Sequence, residues 1–448
     1  MKDEIVKALL QSVHADGDRL PSVRALMKSL NVASATVQRA LHELSKHRII
    51  HTVPGKGCFW GSPTEKILSI QNTRNDSLSE KFQADIRAGI FSFQEPLPSQ
   101  KELSFRYRVS TFRMRRFLQE KLEEGLLVRE GKGRYFFPKQ KERSADSEIL
   151  LVTRSSSWGE FYPASEREMD FIRYAYQTGA KKRCKLKLLG FDEFSGKFID
   201  RNGNVKELAD FPNVIGIILS TMLMENPNQI LSRFKPISVP ISIWWEHPLE
   251  SLSKNFLNRE NWAFFNSTFG KNPGIFLGRF LLKKGFKKAA YISPYHASSW
   301  SRDRLQGLRE SGLEIHAFTD SEFASPWDFR NIASKNGPKF SIELRAKLGE
   351  KTILKKIIQS IENENVWIPA NDEIAGLLRE LEEEGAIQKI PYLVAFDNSI
   401  ESYLLRLDSF DFNTEILVEQ MFYHLELGKN DPFQGNGFRE ISGKVVEK

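Results

Sequence analysis

Five arginines, Arg106, Arg108, Arg113, Arg115 and Arg116, stand within eleven residues of this chain. Guanidinium groups at that density suit phosphate oxygens and the O6/N7 edge of guanine. Ser110 and Thr111 lie just before the last three, where a helix would begin. There a hydroxyl and backbone N–H groups can meet a phosphate. Ser34 and Thr36 repeat that chemistry earlier, followed by Gln38, whose amide suits adenine. Arg113 or Arg115 is placed to read guanine, while Arg39 and Arg116 are placed for the sugar-phosphate backbone. Lys56 and Lys132 each sit between two glycines, at tips from which a lysine reaches the minor groove or a phosphate.

Charge follows the same division. From Met1 to Arg143 there are 26 Lys+Arg and 16 Asp+Glu, a net of +10. The whole chain carries 65 and 57, a net of +8, so the remainder carries 39 and 41, a net of −2. A basic half joined to a neutral half is the pattern of a polyanion-binding module attached to a second module.

The elements that position these side chains are legible from periodicity. In Leu20–Gly57, Val23, Leu26, Met27 and Leu30 share one helical face, and Asn31-Val32 breaks the run. Val37, Ala40, Leu41 and Leu44 then form a second face. Ile49-Ile50 and Gly55-Lys56-Gly57 follow as a hairpin. This is the outline of a winged helix-turn-helix, whose second helix enters the DNA major groove. The outline returns: Leu97-Pro98-Ser99 repeats Leu20-Pro21-Ser22, and Gly131-Lys132-Gly133 repeats Gly55-Lys56-Gly57. Val109, Leu118 and Leu126 stand for Val32, Leu41 and Ile49, with the wing one residue shorter. The order predicts a duplicated small domain. Ser22 and Ser99 read as N-caps of the second helix in each copy, and Ser22 is also placed for a phosphate contact.

Both copies resemble the GntR family of bacterial transcription regulators. The first keeps Leu20-Pro21-Ser22, Arg24, Thr36-Val37, Ala40-Leu41, Leu44 and Gly55/Gly57 of that family's pattern, with Ser34 and Gln38 in place of two recognition-helix arginines. The second keeps Leu97-Pro98-Ser99, Val109-Ser110, Arg115, Leu118, Gly125-Leu126 and Gly131/Gly133. It has Lys101, Thr111 and Arg113 where the family has arginine, arginine and threonine. The resemblance implies DNA contact by Ser22, Arg24, Ser34, Thr36, Gln38, Arg39 and Lys56 in the first copy. In the second it implies Ser110, Thr111, Arg113, Arg115, Arg116 and Lys132.

The larger C-terminal part alternates strands and helices. Glu148–Val152, Cys184–Leu189, Val214–Leu219, Val239–Trp245, Ala289–Ser293, Glu314–Thr319, Val366–Ile368 and Tyr392–Phe396 read as strands. Glu166–Gly179, Gly274–Lys284, Arg302–Ser311 and Glu373–Glu384 read as helices. Alternation predicts parallel sheets covered by helices on both faces, and about three hundred residues is enough for two lobes.

Here GIFLGRFLLKKGFKKAAYIS, SWSRDRLQGLRESGL, IPANDEIAGLLRELEEEG, YLVAFDNS and the closing ISGKVVEK, in this order, resemble the LacI-family sensor, related to periplasmic sugar-binding proteins. The resemblance implies two lobes around a cleft, a small effector between them, dimerisation through this domain and about three chain crossings. The first crossing is expected near Lys287. Carried over residue by residue, it implies that Arg304, Asn371 and Asp397 contact the ligand and that Trp327 stacks on it. The loop Ser155–Phe161 would line the cleft from the other lobe with Trp158 and Phe161, and Trp300 is a weaker candidate. Asn371 has a competing duty as helix cap, and Asp397-Asn398 as a turn. Trp244 and Trp245 read as core or lobe interface. Carboxylate, amide and guanidinium with a flat aromatic suit a sugar or glycoside, although a nucleoside or small acid fits the same groups.

The expected organisation is multidomain: two small α+β winged helix-turn-helix domains at 1–62 and 78–138, linkers at 63–77 and 139–147, and a two-lobed α/β domain of periplasmic-binding-protein type at 148–448. Two cysteines, Cys58 and Cys184, point to a reducing compartment rather than a disulfide framework. The N-terminus lacks a basic start followed by a long apolar run, and no stretch approaches the roughly 18 apolar residues of a membrane span. A cytoplasmic protein, on the nucleoid when bound to DNA, is expected. No HExxH, zinc-type cysteine pair, P-loop, GxGxxG after a strand or GxSxG occurs among the 448 residues, so neither catalysis, cofactor nor metal is expected. The expected function is a ligand-responsive repressor, homodimeric, binding double-stranded operator DNA and a sugar-like effector. Two alternatives stay open: a second copy that acts as a dimerisation or spacer module, and a carbohydrate-binding protein with no regulatory role.

Overall fold

The computed structural model describes residues 2–10, 18–47, 49–53, 57–61, 78–86, 88–93, 95–131, 133–138, 147–161, 165–257, 259–335, 341–361, 364–428, 431 and 438–448. The chain divides into two compact units, Met1–Phe82 and Gln83–Lys448.

The first unit contains α1 (Lys2–Leu10), α2 (Val23–Leu30), α3 (Ser34–Lys46) and the antiparallel hairpin β1 (Ile50–Val53) and β2 (Gly57–Trp60). Ile5, Leu9, Leu20, Leu26, Val37, Ala40, Leu41, Leu44, Ile50 and Trp60 form its core. These are the apolar stripes of three short helices plus the inner residues of the hairpin, so no helix here is stable without the others. Ser22 accepts the Ala25 N–H and starts α2. Asn31, at φ 50°, ends it in the left-handed conformation that asparagine tolerates.

Helix α4 (78–86) spans the boundary between the units. After it come α5 (Gln100–Tyr107), α6 (Thr111–Glu123) and the antiparallel pair β3 (Val128–Glu130) and β4 (Arg134–Phe136). The local bonds match those of the first unit at an offset of 77 residues. Leu20 N–H donates to Cys58 C=O at 2.8 Å, and Leu97 N–H to Tyr135 C=O at 2.8 Å. Val32 N–H donates to Met27 C=O at 3.2 Å, and Val109 N–H to Ser104 C=O at 3.0 Å. Arg108 takes the place of Asn31 at φ 52°. An arginine there is costlier than asparagine, whose short polar side chain tolerates the left-handed backbone better. Ser99 and Glu102 close a reciprocal capping box at the start of α5.

From residue 148 the chain builds two sheets. The first runs β5 (Glu148–Arg154), α7 (Glu166–Lys181), β6 (Lys185–Asp192), β7 (Lys197–Ile199), β8 (Val205–Lys206), β9 (Val214–Ser220), α8 (Pro227–Arg233), β10 (Ile241–Trp244), α9 (Lys254–Leu257) and β11 (Trp262–Asn266). The second runs α10 (Asn272–Lys283), β12 (Lys288–Ser293), α11 (Ser299–Glu310), β13 (Glu314–Thr319), α12 (Pro326–Lys335), α13 (Ile342–Ile358), β14 (Val366–Pro369), α14 (Asp372–Glu383), β15 (Tyr392–Phe396), α15 (Ile400–Leu404) and β16 (Asp408–Asp411). Helix α16 (Thr414–Leu427) and β17 (Phe438–Glu440) return to the first sheet, and β18 (Lys444–Val446) to the second.

The first sheet has the order β17-β11-β10-β9-β5-β6-β7-β8, parallel from β17 to β6 with an antiparallel β7–β8 edge. The second has the order β13-β12-β14-β15-β16-β18, parallel except for β18. Continuous apolar strands such as Ile149–Val152 are buried on both faces, as a parallel sheet requires. Helices α7 and α16 cover one face of the first sheet, where Phe171 and Met421 join Trp244 and Phe265; Ile230 and Phe256 cover the other.

Among the described residues three crossings join the lobes: 267–271, 412–413 and 441–443. The first lies earlier than the expected position near Lys287. Helix α10 belongs to the second lobe, because Leu277 and Leu281 pack with Tyr291, Leu305 and Leu308. Amphipathic spacing reveals an apolar stripe but not which sheet the stripe covers. Among the described residues no helix is long and apolar enough to cross a membrane.

Candidate functional site

In the first unit α3 presents Gln38 and Arg39 to solvent, while Ser34 and Thr36 are half-buried. Arg24, on α2, lines an open depression of about 530 Å³ with Met27, Lys28, Asn31, Val32 and Ala33. Arg39 turns its Nε back to the Ala35 carbonyl at 3.2 Å. Lys56 lies outside the described residues.

On α6, Ser110 caps the helix by accepting the Arg113 N–H at 3.2 Å. Thr111, Arg115 and Arg116 are exposed and Arg113 is half-buried. Arg116 pairs with Glu120 at 3.0 Å, an i,i+4 bridge. Arg106, counted in the arginine cluster, is held instead by Asp85, which it grips through two nitrogens at 2.5 and 2.7 Å. Tyr107 donates to the same carboxylate at 2.6 Å. Lys132 lies outside the described residues.

Of the side chains expected to contact a ligand, Arg304 and Asp397 come together where the two sheets meet. Arg304, on α11, is only 3 % exposed. Its guanidinium donates to the Ala370 carbonyl at the end of β14 and lies 3.7 Å from Asp397 at the end of β15. Trp300, Phe396 and Phe412 surround it, with ring centroids 4.6, 4.7 and 4.9 Å away. Burial lowers the pKa of this guanidinium and the Asp397 carboxylate opposes the shift. Asp397 and Asn398 sit at φ 107° and 49°, a strained pair of residues at a strand end. Their backbone N–H groups go to the Phe410 carbonyl and the Ser409 hydroxyl. Asp372, at the start of α14, accepts from Ser399 N–H, Ser399 Oγ and Ser409 Oγ at 2.7–2.9 Å. Burial, then the Asp397 charge, pushes its pKa up to about 7.

The first lobe faces this cluster with residues the sequence reading did not single out. Arg167, on α7, lies 4.4 Å over the same Phe412 ring that Arg304 contacts. It reaches Glu246 at 3.5 Å and Ser267 Oγ at 3.1 Å. Glu246 is buried and takes the Trp244 indole N–H at 2.5 Å and the Ser267 hydroxyl at 3.4 Å. Glu166 bridges the lobes directly, accepting the Ile400 N–H of α15 at 2.7 Å. Among the described residues, buried polar atoms near the lobe junction without a hydrogen-bond partner include Arg167 Nε, Arg304 Nε, Thr268 Oγ1 and Asn398 Oδ1. Unpaired buried donors and acceptors cost free energy unless something fills them. Two guanidiniums and two carboxylates thus stand around one aromatic ring shared between the lobes.

The remaining predicted positions are placed as follows. Asn371 caps α14, its Oδ1 accepting the Ile374 N–H at 2.9 Å, so the duty observed is the structural one. Trp158 is 77 % exposed, and its loop packs on the 200–203 turn, where Gly159 approaches the Asp200 carbonyl. Phe161 is half-buried in the same loop. Trp327 lies within α12, and its side chain is outside the description. Trp300, the weaker candidate, stands directly against Arg304. Arg167 and Glu246 had no motif to reveal them, because they become neighbours of Arg304 only once the crossings are made. Among the described residues no group of three or more His, Cys, Asp or Glu could hold a metal ion.

The N-terminal segment carries a GntR-type helix-turn-helix domain: residues 1–59 match the family described as bacterial regulatory proteins, gntR family. Within it, 55 residues are 42 % identical to the uncharacterized HTH-type transcriptional regulator YcxD of Bacillus subtilis (strain 168), a match that covers 12 % of each chain. Solved structures are similar over about two thirds of this chain. A periplasmic binding protein/LacI transcriptional regulator from Alkaliphilus metalliredigens QYMF, complexed with D-xylulofuranose, is 17 % identical with a TM-score of 0.41, over 67 % of this chain and 97 % of that one. An ABC transporter periplasmic solute binding protein from Actinobacillus succinogenes 130z with bound D-allose is 14 % identical with a TM-score of 0.44, over 68 % and 98 %.

Proposed function

We propose that this chain is a ligand-responsive transcription repressor. It binds operator DNA through two winged helices and a neutral sugar in the cleft between the two sheets. The observation that carries the effector half is the Phe412 ring shared by Arg167 of one lobe and Arg304 of the other. A ligand that engages both guanidiniums fixes the lobe angle, and differential affinity for two lobe angles is what a regulatory ligand requires. The DNA half rests on the GntR-type residues 1–59, on the +10 charge of Met1–Arg143, and on the bonds that residues 97–135 share with residues 20–58. Homodimerisation through the α/β domain completes the reading, giving four heads per assembly.

The test is a thermal-shift panel on the full chain with pentoses, hexoses, disaccharides, sugar acids and nucleosides, followed by retention of promoter fragments with and without the hit. A ligand at 100 times its Kd adds about 2.7 kcal/mol to stability. The expected hit is a neutral sugar whose effect is lost in Asp397→Ala and which releases bound DNA. A panel without response would remove the effector half, and no DNA retention at low salt would remove the other.

The docking of the second helical unit favours a second reading, in which that unit is a spacer. Gln420 on α16 donates to the Ile86 carbonyl at 3.0 Å, and Phe93 stacks on Tyr423 at 4.3 Å. Full operator affinity in an Arg115→Ala/Arg116→Ala variant would favour the spacer.

A further inference from the structure

Two phenylalanines on the second helical unit face solvent. Phe105 on α5 is 87 % exposed and Phe112 on α6 is 75 % exposed. The core beneath them is already filled: Leu103, Tyr107, Met114, Phe117 and Leu118 are buried. At the 77-residue offset that the backbone bonds obey, Phe105 stands for Lys28 and Phe112 for Ala35. Neither ring therefore belongs to the pattern that folds the unit.

Phe112 is the second residue of α6, next to the Ser110 cap and one turn from exposed Arg115. The N-terminal residues of a recognition helix are those that touch base edges in the major groove. An apolar side chain placed there has one apolar partner in the groove, the 5-methyl group of thymine. The surroundings are cationic: residues 78–138 hold 12 Lys+Arg against 8 Asp+Glu, with Lys101, Arg108, Arg115 and Arg116 on the exposed surface. That charge complements a polyanion rather than an apolar protein face.

We propose that Phe112 is a specificity-determining residue that reads a thymine methyl group in duplex DNA. The inference rests on the reading of this unit as a DNA-binding winged helix. It makes the two heads unequal, the first reading through the Gln38 amide and the second through an apolar contact flanked by arginines.

The test uses the full chain and duplexes selected by it from random-sequence DNA at low salt. The selected duplexes are then remade with deoxyuridine for thymidine, which removes the methyl groups alone. Wild type should lose about threefold to tenfold in affinity on the remade duplexes. Phe112→Ala should lose a similar factor on thymidine DNA and be indifferent to the replacement. Phe105→Ala should keep the wild-type sensitivity. Equal sensitivity of wild type and Phe112→Ala, or none in either, overturns the proposal while leaving DNA binding intact. A change of sedimentation coefficient in both Phe105→Ala and Phe112→Ala also overturns it, in favour of a protein interface. Absence of any retained duplex overturns this proposal and the DNA-binding reading together.

Discussion

Gly89 lies against Ile416 so closely that a Cβ built on the glycine would stand 2.3 Å from Ile416 Cδ1. The glycine also holds φ at +67°, where L side chains are strained. Around this contact Asn413 donates to the Ala88 carbonyl at 3.4 Å and Gln420 to the Ile86 carbonyl at 3.0 Å. The second helical unit is thus seated on α16, and α16 begins two residues after Phe412, the ring shared by the cleft arginines. Gly89→Ala should cost about 1–3 kcal/mol in urea unfolding, from overpacking and backbone strain. Amide exchange should accelerate in residues 83–93. Combined with Ile416→Ala the losses should be less than additive, because the smaller side chain relieves the contact. Additive losses would mean that the two residues do not press on each other.

Helix α16 also marks the limit of what the sequence displays. The strands around Leu151, Ile218 and Val394 and the helices with one apolar stripe are evident from spacing alone. Residues 414–427 have no stripe, because Leu417, Val418, Met421, Phe422, Tyr423 and Leu425 are all buried. A helix that buries Thr414, Gln420 and His424 together with its apolar residues loses the period that marks a single stripe. The cleft was half visible for a related reason. Arg304 and Asp397 lie in short local patterns, whereas Arg167 and Glu246 lie 79 residues apart and are joined only by the parallel order of β5, β9 and β10. The placement of α10 escaped the same way: its stripe is plain, but the crossing at 267–271 decides which sheet receives it.

Arg167 gives a direct test of the cleft. Arg167→Ala leaves the Glu246 carboxylate without its cation and removes one of the two guanidiniums on Phe412. Affinity for the sugar found in the stability panel should fall at least about tenfold, one charge-assisted hydrogen bond being worth ~1.5–3 kcal/mol. Arg167→Lys should recover little, since a single ammonium cannot span Glu246 and Ser267 as the planar fork does. Isothermal titration of the three proteins decides it, and equal affinities would remove Arg167 from the site.

Asp372 predicts a pH dependence of stability. Its folded-state pKa stands near 7 against an ordinary value of 3.8, so the folded chain holds a proton that the unfolded chain has released between these limits. Stability from this group is therefore fully present below about pH 3.8, declines as pH rises from there through 7, and levels off above it. Glu350, raised to about 7 by burial in a contact with Tyr295, acts in the same direction. Asp372→Asn keeps an acceptor for Ser399 and cannot ionise. It should be nearly equal to wild type below about pH 3.8, pull ahead as pH rises from there to 7, and be more stable by a few kcal/mol at pH 8, at ~1.4 kcal/mol per pKa unit. Denaturant midpoints at both ends of that range provide the check, and an unchanged difference would place the proton elsewhere.

The salt dependence of DNA binding separates contact from scaffold among the arginines. Arg115 is exposed, whereas Arg106 is clamped by Asp85 and Arg116 is paired with Glu120. On a duplex bound by both heads, the slope of log affinity against log salt should shrink by about one for each phosphate contact removed. Arg115→Ala is expected to lower affinity by about 1–3 kcal/mol if it reads guanine, with the slope nearly unchanged. Arg116→Ala should lose less affinity and reduce the slope, since its partner Glu120 must be displaced before it can meet the backbone. Arg106→Ala should leave both quantities near wild type and instead destabilise the α4–α5 junction, where Asp85 would lose its bidentate partner. Filter binding across a salt series distinguishes the three patterns, and a large slope change in Arg106→Ala would reverse the division of roles.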